Sequence, residues 1–548
     1  MEFSYSYAKS SHVESHPYRT AMSFSPDTSR QPTFFSGELR KGVAFREAIS
    51  ALHDVVVSDL RFKPKDRTQY LEWRAKQDEI DWVTVMRERM TVKSQIDALQ
   101  AELQELWKRR GDRWATFEKA KRAYFNYLYQ KDRDAWFVLD PVITVHPDEI
   151  FFECFSQDES SYGKLGASYE VFHNIGEFAC GTTNIDYSHA LYEEFQKVRS
   201  YKTTKLEVDP TGFDVKTQGE ADFKEVKIDL PDTWVRGFLQ VSSAMSLPAR
   251  TFELHPMDVH NLLFVLRRRK EKLGPRSLRF RLSPDKPVRV VIDPWNLEVE
   301  CPRSVYKGSK EEEVRIWGRR RLFILERLIP VARNFTVHLL GHGLPSFWVA
   351  DLGDMSFTLG LSGWTTNDWS RAGQFDLLAP RGEVDVQTKV RVFETLKERW
   401  LEKTDDLSSR AELPRATVLS ALSAWTQAGR AIYDLSKGVW RVRELSRDPL
   451  PMDKLRFANE REQAATALVA KTKATSRELA AGAFEVTATV IDKKETHQVR
   501  FIADSDGKVI EAQCDCSFFK FNRLLKGPCE HILAARMRDA AARPVLVS

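Results

Sequence analysis

Three of the six cysteines in this 548-residue chain, and one histidine, fall within the 18 residues CDCSFFKFNRLLKGPCEH at 514–531. The residues ahead of Cys514, THQVRFIADSDGKVIEAQ, read as two strands around the Asp506–Gly507 turn. On an extended strand, residues i and i+2 share a face, so Cys514 and Cys516 aim their sulfurs the same way. Twelve residues then separate Cys516 from Cys529, and Gly527–Pro528 brings the chain round. Cys529 and His531 open the helical run EHILAARMRDAAA, where the dipole and free backbone N–H groups favour a thiolate. Ligands from a strand end and a helix start can close a tetrahedron, the geometry of structural Cys₃His zinc.

Charge points the same way. Three thiolates and Zn²⁺ sum to −1, and each ligand must lose its proton to bind. From Cys514 to Arg543 there are six cations (Lys520, Arg523, Lys526, Arg536, Arg538, Arg543) against three acids (Asp515, Glu530, Asp539). Such surroundings favour thiolate over thiol. A disulfide would leave one of three sulfurs over, and ordinary core cysteines would not need this spacing. The reading is zinc. The arrangement C-x-C-x₁₂-C-x-H, with a hairpin before it and HILAA after it, resembles the SWIM-type zinc finger over about 495–538. That resemblance assigns Cys514, Cys516, Cys529 and His531 as the ligands. It implies DNA or protein binding without choosing between them.

The length calls for several domains. Residues 1–36, rich in Ser, Tyr, His and Pro, read as a mobile tail. Helical pattern dominates 37–137, where Val92, Ile96, Leu99, Leu103 and Leu106 sit at a/d spacing for a helical hairpin or short coiled coil. Residues 138–275 read as a mixed α+β unit opening on the strands of DPVITVHPDEIFFECFS. A second such unit spans 285–382, with VRVVI, FTVHLL and SFTLGL as strands and EEEVRIWGRRRLFILERLI as a helix. At 385–447, helices VRVFETLKERW and LPRATVLSALSAWTQAG, the latter closed by Gly429, precede a two-stranded hairpin. That order resembles a winged helix. Residues 455–548 hold the finger. The fold class is therefore α+β multidomain, ending in a small zinc-stabilised ββα finger.

The segments GTTNIDYS, VRIWGRRRL, LGHGLPSFWV and LGLSGWTTNDWS, with the opening strands, resemble bacterial SWIM proteins associated with MoxR-type AAA ATPases and von Willebrand A-domain proteins. The resemblance implies an accessory role in an ATPase-driven assembly and supplies no catalytic residues.

Enzyme motifs are few. There is no P-loop, no H-E-x-x-H helix and no complete G-x-S-x-G elbow. His342 in GHGLPS reads as part of a tight turn, with a catalytic role as the alternative. Asn367–Asp368 reads as a capping or turn pair beside buried Trp364 and Trp369. The basic runs Arg267–Lys270 and Arg319–Arg321 read as solvated helix faces. Arg415 and Gln427 on the second helix, and Lys437, Arg441 and Arg443 on the hairpin, are candidate DNA contacts. Lys520, Arg523 and Lys526 are candidate partner contacts beside the zinc. No apolar run is long enough to span a membrane, and no secretory h-region opens the chain. The expectation is a non-enzymatic cytoplasmic zinc adaptor for a protein or nucleic-acid partner, with no small-molecule substrate. Its alternatives are a DNA-binding regulator using winged helix and finger together, and an enzyme in the central units.

Overall fold

The structure is a computed structural model. It describes residues 12–16, 19–24, 33–58, 141–184, 196, 198, 203–208, 232–269, 276–341, 343–363, 368–370, 375–380, 384–445, 460–479, 482–492, 495–505 and 507–542. The a/d pattern at Val92–Leu106 lies outside these residues, as do His342, Trp364 and Asn367.

An eight-stranded antiparallel sheet forms the centre. Its spatial order is Arg250–Leu254, Asn334–Leu339, Ser346–Asp351, Met355–Leu361, Ser161–Ser168, Glu149–Phe155, Val142–Val145 and Gly181–Asn184. The expected boundary between 275 and 285 therefore cuts through one sheet, because Met355–Leu361 pairs with Ser161–Ser168. The strands VITV and EIFFECF are buried at every position, which requires cover on both faces. On one face the helix Gly42–Val56 packs close enough that a Cβ on Gly163 would meet Val55 and Leu52 at 3.0 and 3.1 Å. On the other, Phe155 and Tyr162 pack on Phe238 of the helix Asp232–Met245.

The strands Leu278–Leu282, Pro287–Ile292, Leu297–Val305 and Glu312–Ile316 form a separate four-stranded sheet. The segment EEEVRIWGRRRLFILERLI is thus not one α-helix. Val314 and Ile316 are buried at alternate positions of a strand, Gly318 breaks the chain at φ 83°, and Arg319–Leu328 winds as a 3₁₀ helix. Arg319 and Arg321 lie inside the protein, so that run is no solvated face, while Arg320 is exposed.

The expected tail is not structureless. His12–His16 pairs with Arg19–Phe24, which runs parallel to Thr203–Val208, and Phe35–Leu39 and Phe172–His173 complete that five-stranded sheet. The partner strand lies far along the sequence, so local composition gave no sign of it.

Residues 386–442 form three helices, Val386–Arg399, Thr404–Ala411 and Arg415–Gln427, with a three-stranded sheet of Leu401–Glu402, Ala431–Asp434 and Val439–Val442. Gly429 sits past the last helix at φ 70°, the left-handed position that favours glycine. Beyond them, Thr472–Glu478, Phe484–Asp492, Glu495–Ala503 and Val509–Cys514 form a meander. Glu460–Leu468 and Glu530–Ala542 are the long helices of this region. The sheet behind the cysteines therefore has four strands where two were expected. Among the described residues no helix is long and apolar enough to cross a membrane.

Candidate metal centre

Cys514 closes the last strand of the meander, opposite Val499. Cys516 is not on that strand. It caps the short helix Ser517–Asn522, its sulfur accepting the Phe519 N–H at 3.4 Å. Cys529 immediately precedes the helix that carries His531, and its carbonyl accepts the Leu533 N–H. All four side chains are buried, and their ligand atoms lie within 4.8 Å of one another. Tetrahedral zinc has Zn–S bonds of about 2.3 Å and Zn–N bonds of about 2.0 Å, so its donors stand roughly 3.5–3.8 Å apart. Small side-chain rotations suffice to reach that spacing. The Cys₃His set suits Zn²⁺ in both softness and number.

As free side chains the four are coupled through hydrogen bonds. The bond from Cys529 draws the Cys514 thiol down to about 4 and Cys516 to about 7, against the upward push of burial. Cys529, bonded to both sulfurs, is pushed up instead. Burial acts to lower His531, but its bonds to the Cys514 and Cys516 sulfurs hold it at about 9. Negative sulfur is stabilised by whatever positive charge sits among the donors, and a dication fills that role when its ligands deprotonate.

His531 turns Nδ1 toward Cys514 at 3.9 Å, and its Nε2 lies 3.7 Å from an Asp492 carboxylate oxygen. At that distance Asp492 is an electrostatic neighbour of the ring and not its hydrogen-bond partner. His497 lies over the His531 ring, centroids 4.0 Å apart, and meets Asp515 through Nδ1 at 2.9 Å. Asp515 also accepts the Gln498 N–H, tying the C-x-C turn to the neighbouring strand. From the helix Glu460–Leu468, Arg461 donates to the Lys526 and Pro528 carbonyls and covers Phe518. These supporting residues escaped sequence reasoning, which had no way to pair side chains that only the fold brings together.

The finger is docked on the rest of the protein. Arg536 donates to the Leu377, Ala379 and Gly507 carbonyls at 2.7, 2.6 and 2.8 Å. Leu525 packs on the GHGLPS turn, where Gly343 has φ 70° and an added Cβ would come within 2.5 Å of Leu525 Cδ2. Its missing side chain is what lets the finger loop close on the turn.

Of the expected partner contacts, Lys520, Arg523 and Lys526 are exposed beside the zinc ligands. Two of the three hairpin residues are not. Arg441 and Arg443 are fully buried, and their guanidinium groups face the central sheet. Arg441 binds Asp148 and Asp434, each at 2.7 Å, and Glu149 at 3.2 Å. Arg443 binds Glu153 at 2.9 Å and Ser242. Lys437 is partly exposed and held by Asp148 and Glu149. Desolvated charges need such partners, so Arg441 and Arg443 are structural and unavailable to DNA. Gln427 likewise turns inward to Ser243, and Arg415 is engaged by Asp405.

The SWIM zinc finger family profile matches residues 497–535. The chain thus carries a SWIM zinc finger domain, its four metal-binding side chains arranged for Zn²⁺. No curated protein matches the chain in sequence. Among solved structures, the crystal structure of proliferating cellular nuclear antigen from Entamoeba histolytica aligns over 60% of this chain and 98% of that one, at 8% identity and a TM-score of 0.34. A likeness that slight carries no argument.

Proposed function

We propose that the chain is a non-enzymatic zinc-binding adaptor that presents its finger, as a rigid surface, to a macromolecular partner. The observation that carries this reading is the closed, buried Cys₃His tetrad. Four protein donors leave no position on zinc for water, so the metal holds structure and does not hydrolyse. Docking through Arg536 and Leu525 fixes the finger's orientation on the larger body, as a presenting surface requires.

The protein partners implied by resemblance, a MoxR-type AAA ATPase and a von Willebrand A-domain protein, are the first to test. All six cysteines are unpaired thiols, which is consistent with a reducing, cytoplasmic setting. The helices and hairpin of 386–442 have the order of a winged helix, here as a structural module. The burial of Arg441 and Arg443 speaks against a DNA-reading wing.

Replacing Cys529 with serine tests the reading. The variant should lose stoichiometric zinc, melt at lower temperature and fail to bind the purified ATPase or A-domain protein that the parent binds. Full zinc and an unchanged melting profile would overturn the metal assignment. Equal binding by parent and variant would overturn the adaptor role of the finger.

A further inference from the structure

The short helix between the second and third zinc ligands carries three phenylalanines, and two have structural work. Phe519 is buried in the finger core, and Phe518 lies under the Arg461 guanidinium, 4.6 Å from its ring centre. The third, Phe521, is 87% exposed. A single exposed apolar side chain means little by itself. Three exposed cations, Lys520, Arg523 and Lys526, flank it in the same ligand-bounded segment. None of the three has a carboxylate within ion-pair distance among the described residues. The nearest acids in sequence are Glu530 and Asp515, and Asp515, within electrostatic reach of Lys520, has its two oxygens on His497 and the Gln498 N–H.

The platform is also stiff. Arg523 adopts φ 50°, its N–H bonded to the Phe519 carbonyl. Leu525 and Gly527 close further turns onto Asn522 and Leu524. Zinc ligands stand at both ends of the segment, and Arg461 holds the Lys526 and Pro528 carbonyls. Backbone held in this way loses little further freedom when its side chains bind a ligand.

We propose that this patch binds single-stranded nucleic acid, with a base stacked on Phe521 and the flanking phosphates on Lys520, Arg523 and Lys526. A flat ring together with nearby cations matches the two repeating chemistries of such a strand, a π-face and a negative charge. An acidic peptide would satisfy the cations and leave the ring unused. In a duplex the base faces are hidden by stacking, so an exposed ring finds no partner there. The proposal rests on the adaptor reading above and names the partner class of the same finger.

The test uses full-length zinc-loaded protein with a labelled 20-nucleotide oligothymidine and a duplex of equal length, followed by fluorescence anisotropy at several salt concentrations. The single strand should bind more tightly than the duplex, and the affinity should fall steeply with salt as counterions are released. Phe521→Ala should weaken binding about tenfold or more, with zinc content and melting unchanged, because the side chain is 87% exposed. Lys520→Glu with Arg523→Glu should reduce both affinity and salt slope. The proposal is overturned if Phe521→Ala binds as well as the parent, if the duplex binds equally, or if no oligonucleotide binds at low salt. Should oligonucleotides fail while the zinc-dependent protein complex persists, only this inference falls. Loss of zinc by the parent protein would instead remove the adaptor reading itself.

Discussion

His146 stands where the hairpin of Ala431–Asp434 and Val439–Val442 meets the central sheet, wholly buried. Its Nε2–H donates to the Val442 carbonyl at 2.6 Å, and Nδ1 accepts from Arg441 at 3.4 Å. Those partners select the neutral tautomer protonated at Nε2, with Asp148 Oδ1 3.8 Å from Nδ1. Burial, with the Arg441 charge beside it, lowers the pKa from 6.5 to about 3, while the Val442 bond and then Asp148 pull the other way. The unfolded chain therefore takes up a proton between pH 6.5 and 3 that the folded chain refuses, so stability falls as pH falls through that window. At about 1.4 kcal/mol per pH unit, the loss reaches roughly 3 kcal/mol by pH 4.5. Asp434 adds a second window. Burial would raise its carboxyl, but Lys164 and Arg441 outweigh burial and hold it depressed. Its contribution is present above the ordinary carboxylate range and is lost only in stronger acid. Thermal melts from pH 8 to 4 should show a decline that begins near 6.5, and His146→Gln should flatten it at some cost in stability at neutral pH. An unchanged slope in the variant would assign the decline to other groups. At this scale the zinc ligands were legible, because four donors at fixed spacing carry their chemistry in the sequence. The burial of Arg441 and Arg443 was not. Their acidic partners Asp148 and Glu153 lie 293 and 290 positions away, and a strand residue's periodicity names its face without naming what covers that face.

At the scale of elements, helices closed by visible signals were read correctly and strand pairings at a distance were missed. Gly429 ended its helix as its position in the sequence implied, and VITV and EIFFECF, read as alternating strands between Pro-marked turns, are strands buried at every position. By contrast, the pairing of Met355–Leu361 with Ser161–Ser168 depends on contacts that no local window contains. The same holds for Arg536. It sits on the helix Glu530–Ala542, and the sequence offered it only as one of six cations near the zinc ligands, yet three carbonyls from two other loops converge on its guanidinium. Hydrogen bonds from a charged donor contribute on the order of 1.5–3 kcal/mol each, less where partly solvated. Arg536→Ala should therefore release the finger from the Leu377–Ala379 segment while leaving the zinc ligands intact. Hydrogen exchange should quicken at 375–380 and in the turn after Gly507, with zinc stoichiometry unchanged. Loss of zinc together with faster exchange would mean instead that docking and metal binding form one cooperative unit.

Across the whole molecule, the central sheet is joined to the hairpin of 431–442 through charge. Four cations (Lys164, Lys437, Arg441, Arg443) meet four acids (Asp148, Glu149, Glu153, Asp434) in a neutral network. Its deepest pair, Arg443 and Glu153, is fully buried, with the Tyr162 hydroxyl donating to the same carboxylate oxygen at 2.7 Å and Phe238 beneath the guanidinium. Such a pair adds little net stability over an apolar pair of the same shape, but losing one member strands the other's charge. Arg443→Met should therefore destabilise by about 3–5 kcal/mol, with the Glu153 carboxylate left to one hydroxyl donor. Glu153→Gln alone should cost a comparable amount for the opposite reason. Combined, the two changes remove both charges, so the double variant should melt above either single variant. The coupling follows from the four melting temperatures of the cycle. If the two losses simply add, the pair is not the joint, and the hairpin is held to the sheet by Arg441 and its three carboxylates acting independently. Recovery in the double variant would place the charge pairing itself at the junction that sets this module against the sheet carrying the rest of the fold.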